Sequence, residues 1–281
     1  MIWAFPACER PSCPIIRTIW WQNTGHGFGR MTMRIDHPVP TQIPALRRLW
    51  QESFGDTDAF LDGFFDRVFS SDRCRCIFAG KEAAAALYWL DCDYNGGKLA
   101  YLYAVATAEA SRNQGLCRKL MEDTHALLQA RGYAGTVLVP GEAGLFAMYE
   151  KMGYQVLSCM DTRTVCSDAS VALKAIAPEE YAAARKNFLP AGGVVQEKES
   201  LALLTLCAGL YAGDGFLLAA RKEGDTVFGL ELLGDSTRAA GISAALGAAK
   251  GQFRIPGEKP FAMYHPLSDA PKPAYFGLAF D

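Results

Sequence analysis

Apolar residues recur along this chain at two spacings, one typical of helices and one typical of strands. Two helices are predicted first, because large apolar side chains fall three or four positions apart. Three strands follow, separated by Gly80-Lys81 and by Asn95-Gly96, a dipeptide typical of tight hairpins. The first part of the chain therefore has the order β-α-α-β-β-β-α-β-α-β. The predicted segments are 34–36, 41–54, 56–69, 73–79, 83–92, 99–107, 115–130, 135–139, 145–151 and 155–164.

A second series of elements begins after a stretch, residues 167–177, that has the pattern of a linker. Pro178 is suited to the first turn of a helix, and the hinge Glu223-Gly224-Asp225 separates two apolar strands. The predicted elements are helices 179–189 and 197–211, strands 215–220 and 227–233, a short helix opening at 238–243, and strands 252–255, 261–265 and 275–280.

Length and composition limit the class of protein. The chain has 281 residues, more than one average domain of about 150, so two domains are expected. Half of the residues are apolar and the net charge is only −2, from 28 basic and 30 acidic side chains. No strong field attracts nucleic acid or anionic lipid, and the apolar run 83–90 is far below the roughly 20 residues of a membrane span. We expect small molecules or proteins as partners.

The first thirty-two residues differ from the rest and are predicted to be a disordered leader. Glu9, Arg10 and several prolines interrupt any apolar stretch of the kind that an export signal needs. Met31 and Met33 directly precede the first patterned segment, so translation starting there is an attractive hypothesis. Nine scattered cysteines without a CxxC pair favour reduced thiols and a cytoplasmic location. A metal site formed by Cys8, Cys13 and His26 is not favoured, because their spacing matches no zinc pattern.

A strand, a turn and a helix N-terminus carry the first chemical signal. The strand ends at Thr107, and the turn Arg112-Asn113-Gln114-Gly115-Leu116-Cys117 opens the next helix. Such a helix start presents unpaired N–H groups and a positive dipole to an anion. A small residue at position 117 lets the backbone approach a diphosphate, and Arg112 adds a charge-assisted contact.

A second block, Leu145-Phe146-Ala147-Met148-Tyr149-Glu150-Lys151-Met152-Gly153-Tyr154, lies downstream at a consistent separation. Together the two motifs resemble the acyl-CoA-dependent N-acetyltransferase superfamily, the GNAT fold. The turn is similar to its Gln/Arg-x-x-Gly-x-Gly/Ala pyrophosphate loop, and the block to its Tyr-Glu-Lys-x-Gly-Phe/Tyr segment. Cys117 departs modestly from that pattern. The resemblance covers residues 34–166 and implies an α/β (α+β) fold, with a mixed, mostly antiparallel central sheet flanked by helices.

The resemblance also implies a donor, a site and a reaction. Acetyl-CoA would be the acyl donor, transferred directly to a primary amine in a ternary complex. Tyr149 matches the family's general acid, and Glu142 is the first candidate for the base, although it replaces an Asn that the family often has there. Asp91, Asp93 and Glu109 are weaker candidates for the base. The implied cofactor contacts are Val105, Ala106 and Thr107 on the strand and Arg112, Asn113, Gln114, Gly115, Leu116 and Cys117 on the loop.

The second half carries a fainter version of the first motif, Arg238-x-x-Gly241-x-Ser243, and no clear tyrosine block. It therefore resembles a degenerate GNAT-like unit, expected to be structural or to shape the substrate site. This arrangement is similar to that of the enhanced-intracellular-survival acetyltransferases, without their sterol-carrier-like tail. The predicted division is leader 1–32, acetyltransferase domain 33–166, linker 167–177 and degenerate domain 178–281.

Two functions remain open from the sequence. One is an N-acetyltransferase acting on a small-molecule or protein amine, and the other is a non-catalytic acyl-CoA-binding or sensing protein. Tyr149 favours catalysis. The acceptor pocket would lie between the units or against the first two helices, whose Trp50, Phe54, Phe64 and Phe65 could line it or be simply core. His125 is expected to be exposed, and no role is predicted for His265. The oligomeric state is not predicted.

Overall fold

The computed structural model describes residues 34–95 and 97–280 and has a mixed α/β fold. The predicted leader with its methionines, Cys8, Cys13 and His26 lies outside the described residues, as does Gly96 of the predicted hairpin turn. The elements of the first half are β1 (Ile35–Asp36), α1 (Ile43–Phe54), α2 (Asp58–Arg67), β2 (Cys74–Ala79), β3 (Glu82–Tyr94), β4 (Gly97–Thr107), α3 (Leu116–Ala130), β5 (Gly135–Leu138), α4 (Ala143–Glu150) and β6 (Gln155–Cys166). The elements that follow are β7 (Lys174–Ala175), α5 (Pro178–Phe188), β8 (Val195–Gln196), α6 (Glu199–Cys207), β9 (Gly209–Gly213), β10 (Phe216–Glu223), β11 (Thr226–Gly234), α7 (Ala239–Ala245) and β12 (Lys250–Pro266).

One large, mostly antiparallel sheet runs through both halves of the chain. Its strand order is β1-β2-β3-β4-β5-β12-β11-β10-β9-β7, while β6 pairs with β12 and β8 pairs with β3. Parallel ladders join β4 to β5 and β11 to β12. Successive residues of β4 face opposite sides, because side chains alternate along a strand. Tyr101 packs in the core with α1 and α2, and Leu102 packs in the core with α3 and α4.

Local signals explain where the first helices begin and end. Pro44 lies in the first turn of α1, where its missing N–H costs no hydrogen bond. Gly55 ends that helix in the left-handed conformation, at φ 71°. The Thr57 side chain then caps α2 by accepting a hydrogen bond from the backbone N–H of Phe60.

The long strand β12 joins the two halves into one sheet. Near its start it pairs in parallel with β11, where Val227 lies opposite Gly251. Near its end it inserts between β5 and β6, so that Met263 lies opposite both Leu138 and Val156. The central sheet of the first half is therefore completed by a strand from the far end of the chain.

A buried ion pair anchors the segment that follows β12. The Arg185 guanidinium of α5 makes a bidentate contact with the Glu231 carboxylate of β11, Nε to Oε2 at 2.7 Å and Nη2 to Oε1 at 2.9 Å. The two side chains are only 3% and 0% exposed. The Tyr275 hydroxyl donates to Glu231 Oε1 at 3.1 Å, so the pair also holds the final segment.

The final segment, residues 275–280, is buried without being a strand. Gln196 donates to the carbonyl of Leu278 at 2.9 Å, and the N–H of Val194 donates to that of Tyr275 at 2.8 Å. These contacts satisfy backbone groups that a sheet ladder would otherwise pair. The segment thus lies between the second half and the core of the first.

Most predicted elements of the first half are confirmed within a few residues, and three expectations in the second half are wrong. Residues 275–280 form no strand, and the two predicted strands 252–255 and 261–265 are one, β12. The predicted helix 197–211 ends at Cys207, where β9 soon begins. The predicted linker stays a prediction; within it, β7 pairs with β9.

The described residues contain no helix that is both long and apolar enough to cross a membrane. The cysteines of the same residues are free thiols, among them the buried neighbours Cys74 and Cys76. No group of three or more metal-binding side chains comes together within the described residues.

Breaking the buried ion pair tests how much the structure depends on it. For Glu231→Gln we expect the free energy of unfolding to fall by about 3–5 kcal/mol, because the Arg185 charge stays buried without its counter-ion. The exposed pair of Lys174 and Glu180 is the matched control, and Glu180→Gln should cost less than about 1 kcal/mol. Urea unfolding measures both variants. Equal losses in the two would contradict the anchoring role.

Candidate active site

Strands β4 and β5 separate at one end of the sheet. They pair only from Leu99 opposite Gly135 to Tyr101 opposite Val137. Strand β5 ends one residue later at Leu138, whereas β4 continues to Thr107. Among the described residues, the continuing part of β4 has a ladder only with β3. A gap therefore opens between β4 and β5, and it is bordered by backbone groups of β4.

A bulge at Ala104 distorts β4 beside this gap. The register with β3 shifts between Ala86, which faces Ala106, and Tyr88, which faces Tyr103. Ala104 has φ 48°, a conformation that costs a residue with a Cβ roughly 1 kcal/mol or more. A bulge leaves one residue without a partner and redirects the strand. The bulge lies directly before Val105, Ala106 and Thr107, the three predicted strand contacts.

The loop after β4 presents backbone N–H groups at the same end of the sheet. Asn113 and Gly115 both have positive φ, 61° and 72°. Gly115 is the N-cap of α3 and supplies no side-chain cap, so the N–H groups of the first turn remain available. A Cβ built on Gly115 would meet nothing within 4 Å, which shows that the helix start is open.

The side chains of the predicted loop contacts differ in exposure. Arg112, Asn113 and Gln114 are exposed, and Arg112 Nε donates to the Thr107 carbonyl at 3.3 Å. Leu116 is buried in the core under α3, and Cys117 is half-buried beside it. An anion at this helix start would meet the Arg112 charge and the helix dipole together.

Tyr149 lies on α4 in the apolar core that also holds Leu116 and Cys117. It is 6% exposed. Burial, and secondly the nearby Cys117, raises the pKa of Tyr149, so that the phenol stays protonated at neutral pH. Burial also raises the pKa of the Cys117 thiol, against a smaller opposing effect of Arg118. The structure thus brings the predicted acid to the helix start that carries the predicted loop.

Glu142 is exposed at the N-cap of α4, and its carboxylate makes no hydrogen bond or ion pair with another described side chain. It precedes Tyr149 by seven residues, which corresponds to roughly 10 Å along the helix axis. Asp91 and Asp93 lie on β3, opposite Ala100 and Lys98 of β4, at the end of the sheet away from the gap. The third weaker candidate, Glu109, follows β4 directly, and its N–H donates to Glu52.

An aromatic cluster occupies the face of β4 that is opposite to the face with α3, α4 and Tyr149. Trp50 is its centre and is buried; its ring centroid lies 4.6 Å from that of Phe64 and 5.7 Å from that of Tyr103. Phe54 and Phe65 are half-buried around it. The other rings within this cluster are those of Phe60, Phe69 and Tyr88.

The final segment of the chain borders this cluster. Tyr103 of β4 donates its hydroxyl to the Phe280 carbonyl at 2.9 Å. Phe276 packs on Tyr101 with ring centroids 4.8 Å apart. The side of β4 that faces α1 and α2 therefore includes surface from the far end of the chain.

The expectation that His125 is exposed is wrong. Its ring stacks on that of His265 at 4.3 Å and 11°, and its Nε2 lies 2.8 Å from the hydroxyl of Tyr154. Burial, and secondly His265, lowers the pKa of His125 to about 3. The partner residue is far away in sequence, so helical periodicity around His125 gave no signal of this contact.

Sequence reasoning missed three features of this region, the bulge at Ala104, the histidine pair and the approach of Phe280 to Tyr103. An alanine at positive φ has no sequence signature, since glycine or asparagine is the usual residue there. The other two features depend on strand β12 and the segment after it, whose positions follow from long-range pairing.

Comparison with known proteins identifies the region that contains this site. Residues 34–157 match the family model described as an acetyltransferase (GNAT) domain, which confirms the resemblance stated from the two motifs. No curated protein matches the sequence.

Several solved structures share the fold. A GCN5-related N-acetyltransferase from Kribbella flavida has a TM-score of 0.63 at 17% identity, covering 83% of this chain and 70% of that one. Eis1 from Mycobacterium abscessus has a TM-score of 0.61 at 13% identity, covering 84% and 74%. A GCN5-related N-acetyltransferase from Sphaerobacter thermophilus has a TM-score of 0.53 at 13% identity, covering 87% and 98%. At these identities the likeness concerns the fold, and it extends over both halves of the chain.

The histidine pair makes a prediction about acid stability. The pKa of His125 is about 3 in the folded chain and about 6.5 when unfolded, so only the unfolded chain takes up a proton between these values. The contribution of neutral His125 to the free energy of unfolding is therefore fully present above pH 6.5 and falls as the pH drops toward 3. We expect the Tm of the wild type to fall more steeply from pH 7 to pH 4 than that of His125→Phe, which cannot titrate. Parallel Tm curves would contradict this assignment.

Proposed function

We propose that this chain transfers an acetyl group from acetyl-CoA directly to a primary amine, on the premise that residues 34–157 match the model of an acetyltransferase (GNAT) domain. The observation that carries this proposal is the convergence of three features at one end of the sheet. They are the gap between β4 and β5, the open start of α3 at Gly115, and the buried phenol of Tyr149. The scattered cysteines favour a reducing compartment, and we propose the cytoplasm.

In this proposal the loop holds the diphosphate of CoA. Backbone N–H groups from Asn113 to Cys117 and the helix dipole would bind the phosphates, with Arg112 as an added cation. The positive φ of Asn113 and Gly115 supports this, because a turn that alternates in this way directs successive N–H groups toward one anion. Leu116 would contribute through its backbone, since its side chain is buried.

The acyl arm would then enter the gap between β4 and β5. Backbone N–H groups of Val105, Ala106 or Thr107 would polarise the thioester carbonyl, as preorganised donors do for a developing oxyanion. The bulge at Ala104 supports this role, because it locally frees the strand from its ladder with β3.

Tyr149 would donate a proton to the departing sulfur. A phenol with a raised pKa is a weak acid toward an ordinary thiolate, so its acidity alone does not favour this transfer. The same burial raises the pKa of the Cys117 thiol, however, and a CoA thiolate in this pocket would be affected in the same direction. The pKa values of the proton donor, Tyr149, and of the proton acceptor, the CoA thiolate, are therefore raised together. Tyr149 gives its proton to the sulfur as the C–S bond breaks.

Glu142 is the proposed base. An alkylammonium has a pKa near 10.4, so the amine must lose a proton before it attacks. Glu142 is exposed at the N-cap of the helix that carries Tyr149, seven residues before it, which would leave room for the amine and a relaying water between them.

We also propose that the second half has no active site of its own. The motif there that is similar to the loop, residues 238–243, lies at the start of the short helix α7. A Cβ on Gly241 would lie 2.5 Å from Val171 and 2.7 Å from the Ala169 carbonyl of the predicted linker. The corresponding position in the first half, Gly115, is open. The second half instead contributes β12 and the final segment to the first.

Donor binding is the first test of this function. We expect acetyl-CoA and CoA to raise the Tm, whereas a nicotinamide dinucleotide should not, since a ligand at a hundred times its Kd adds about 2.7 kcal/mol to stability. Arg112→Ala should weaken the shift; Arg131→Ala, at the other end of α3, is the control. Absence of any shift with the wild type would refute acyl-CoA binding. A shift without turnover on any amine would favour a sensing protein.

Removal of the Tyr149 hydroxyl tests the acid. For Tyr149→Phe we expect kcat to fall about 100-fold, a typical contribution of general acid catalysis, with the affinity for acetyl-CoA unchanged. Thiol release and calorimetry measure the two quantities. Tyr133→Phe is the matched control, because its buried hydroxyl donates to Asp91, at the end of the sheet where β4 and β5 remain paired. Turnover of Tyr149→Phe equal to that of this control would exclude the acid role.

A pH profile tests the base. We expect Glu142→Gln to lower kcat/KM for the amine and to remove the acidic limb of its pH dependence, since the amide cannot accept a proton. The exposed Glu150 on the same helix serves as control through Glu150→Gln. A profile identical to that of the wild type would exclude Glu142 as the base.

A further inference from the structure

A polar cluster lies inside the apolar core directly behind Tyr149. It consists of His125, Thr136, Tyr154 and His265, which come from α3, β5, the turn before β6, and β12. The register of β12 with β5 places His265 opposite Thr136, so β12 brings the imidazole of His265 to this cluster.

Hydrogen bonds hold the hydroxyl of Tyr154 at the centre of the cluster. It lies 2.8 Å from Thr136 Oγ1 and 2.8 Å from His125 Nε2. Thr136 is fully buried and Tyr154 is 3% exposed. Polar groups at such depth cost free energy unless they are paired, so these two bonds determine where the ring of Tyr154 can lie.

The stacked histidines complete the support. The His265 ring lies 4.3 Å from that of His125 and 5.2 Å from that of Tyr154. Gly153 makes room for it, because a Cβ there would approach two atoms of the His265 ring to 3.0 Å. Within the described residues His265 Nδ1 is buried without a hydrogen-bond partner. The cluster is thus closed by contacts between elements that lie far apart in sequence.

The cluster meets the proposed acid through the ring of Tyr154. Tyr149 packs edge-on against it, with ring centroids 5.6 Å apart and planes at 65°. Such edge-to-face contacts favour one relative orientation of the two rings. A displacement of Tyr154 would therefore displace Tyr149 relative to the gap between β4 and β5.

We propose that Tyr154 is a positioning residue for Tyr149, with its own ring fixed by Thr136 and His125 and braced by His265 of β12. This inference rests on the proposed function, in which Tyr149 is the general acid. The cluster touches neither donor nor acceptor; it controls the angle and distance at which the Tyr149 hydroxyl meets the sulfur. The far end of the chain thereby contributes to the donor side of the site.

The test removes one hydroxyl of the cluster while the volume of the side chain is kept. For Thr136→Val we expect kcat to fall about tenfold, because catalysis is sensitive to misplacement of a reacting group by less than about 1 Å, while KM for acetyl-CoA changes less than twofold. Thr136→Ser, which retains the hydroxyl, should restore kcat. Thr124→Val is the matched control, since Thr124 is equally buried but donates only to the Leu120 carbonyl of its own helix.

A second readout does not depend on turnover. In protein carrying ¹³C-labelled tyrosine rings, with the Tyr149 signals assigned through Tyr149→Phe, we expect those signals to shift or broaden in Thr136→Val. They should remain in place in Thr136→Ser and Thr124→Val. His125→Phe, which keeps the stack on His265 but not the hydrogen bond, should resemble Thr136→Val.

The two readouts separate this proposal from the proposed function. Unchanged Tyr149 signals in Thr136→Val would overturn the positioning role, whatever the activity of the protein. Altered Tyr149 signals in Thr136→Val, together with a wild type that neither binds acetyl-CoA nor acetylates an amine, would support the positioning of Tyr149 and refute acetyl transfer. An equal loss of kcat in Thr136→Val and Thr124→Val would also overturn the proposal, because it would reflect a general effect on the core.

Discussion

The insertion of β12 between β5 and β6 is the constraint on which the rest of the structure depends. One edge of β12 pairs with β6 and the other pairs first with β11 and then with β5, so the strand fixes the positions of all three at once. Because β5 is short and pairs with β4 over only three residues, its other edge needs β12 to remain in the sheet. The gap that forms the candidate site is the space left where β5 ends. Its shape therefore depends on both halves of the chain.

Elements whose signals are local could be predicted from the sequence. The helix α3, the strand β4 and the turn between them follow from apolar spacing, from Gly115 and from two motifs that each lie within ten residues. The sequence predicted two strands, 252–255 and 261–265, where the structure has the single strand β12; Pro256 and Pro260 lie between them, and proline cannot donate to a ladder. In the structure β12 bulges between these prolines, where its register with β6 shifts. Beyond them the strand continues and pairs with β6 again. The buried segment at 275–280 has the apolar pattern of a strand, but side-chain and loop contacts pair its backbone instead.

The candidate site divides in the same way. The loop of residues 112–117 and Tyr149 lie in contiguous motifs, so both could be proposed from the sequence. The surroundings that would tune them could not, because the bulge at Ala104, the stacked histidines and the final segment depend on contacts between residues far apart in the chain. The burial of Arg185 and Glu231 could not be predicted from the sequence either, since a charged residue is usually at the surface. Such a residue is buried only when the tertiary structure supplies a partner of opposite charge.

The sequence separation between β5 and β12 also affects how the protein is made. More than a hundred residues must be synthesised after Leu138 before Met263 can pair with it. Contacts of such separation carry a large loop-closure cost and slow the folding of a domain. On the ribosome, where chains grow at about 5–20 residues per second, the first half would wait several seconds with an unpaired strand edge before its last neighbour arrives. A nascent chain of this kind offers a chaperone a defined segment to shield, and the gap between β4 and β5 reaches its final shape only near the end of synthesis.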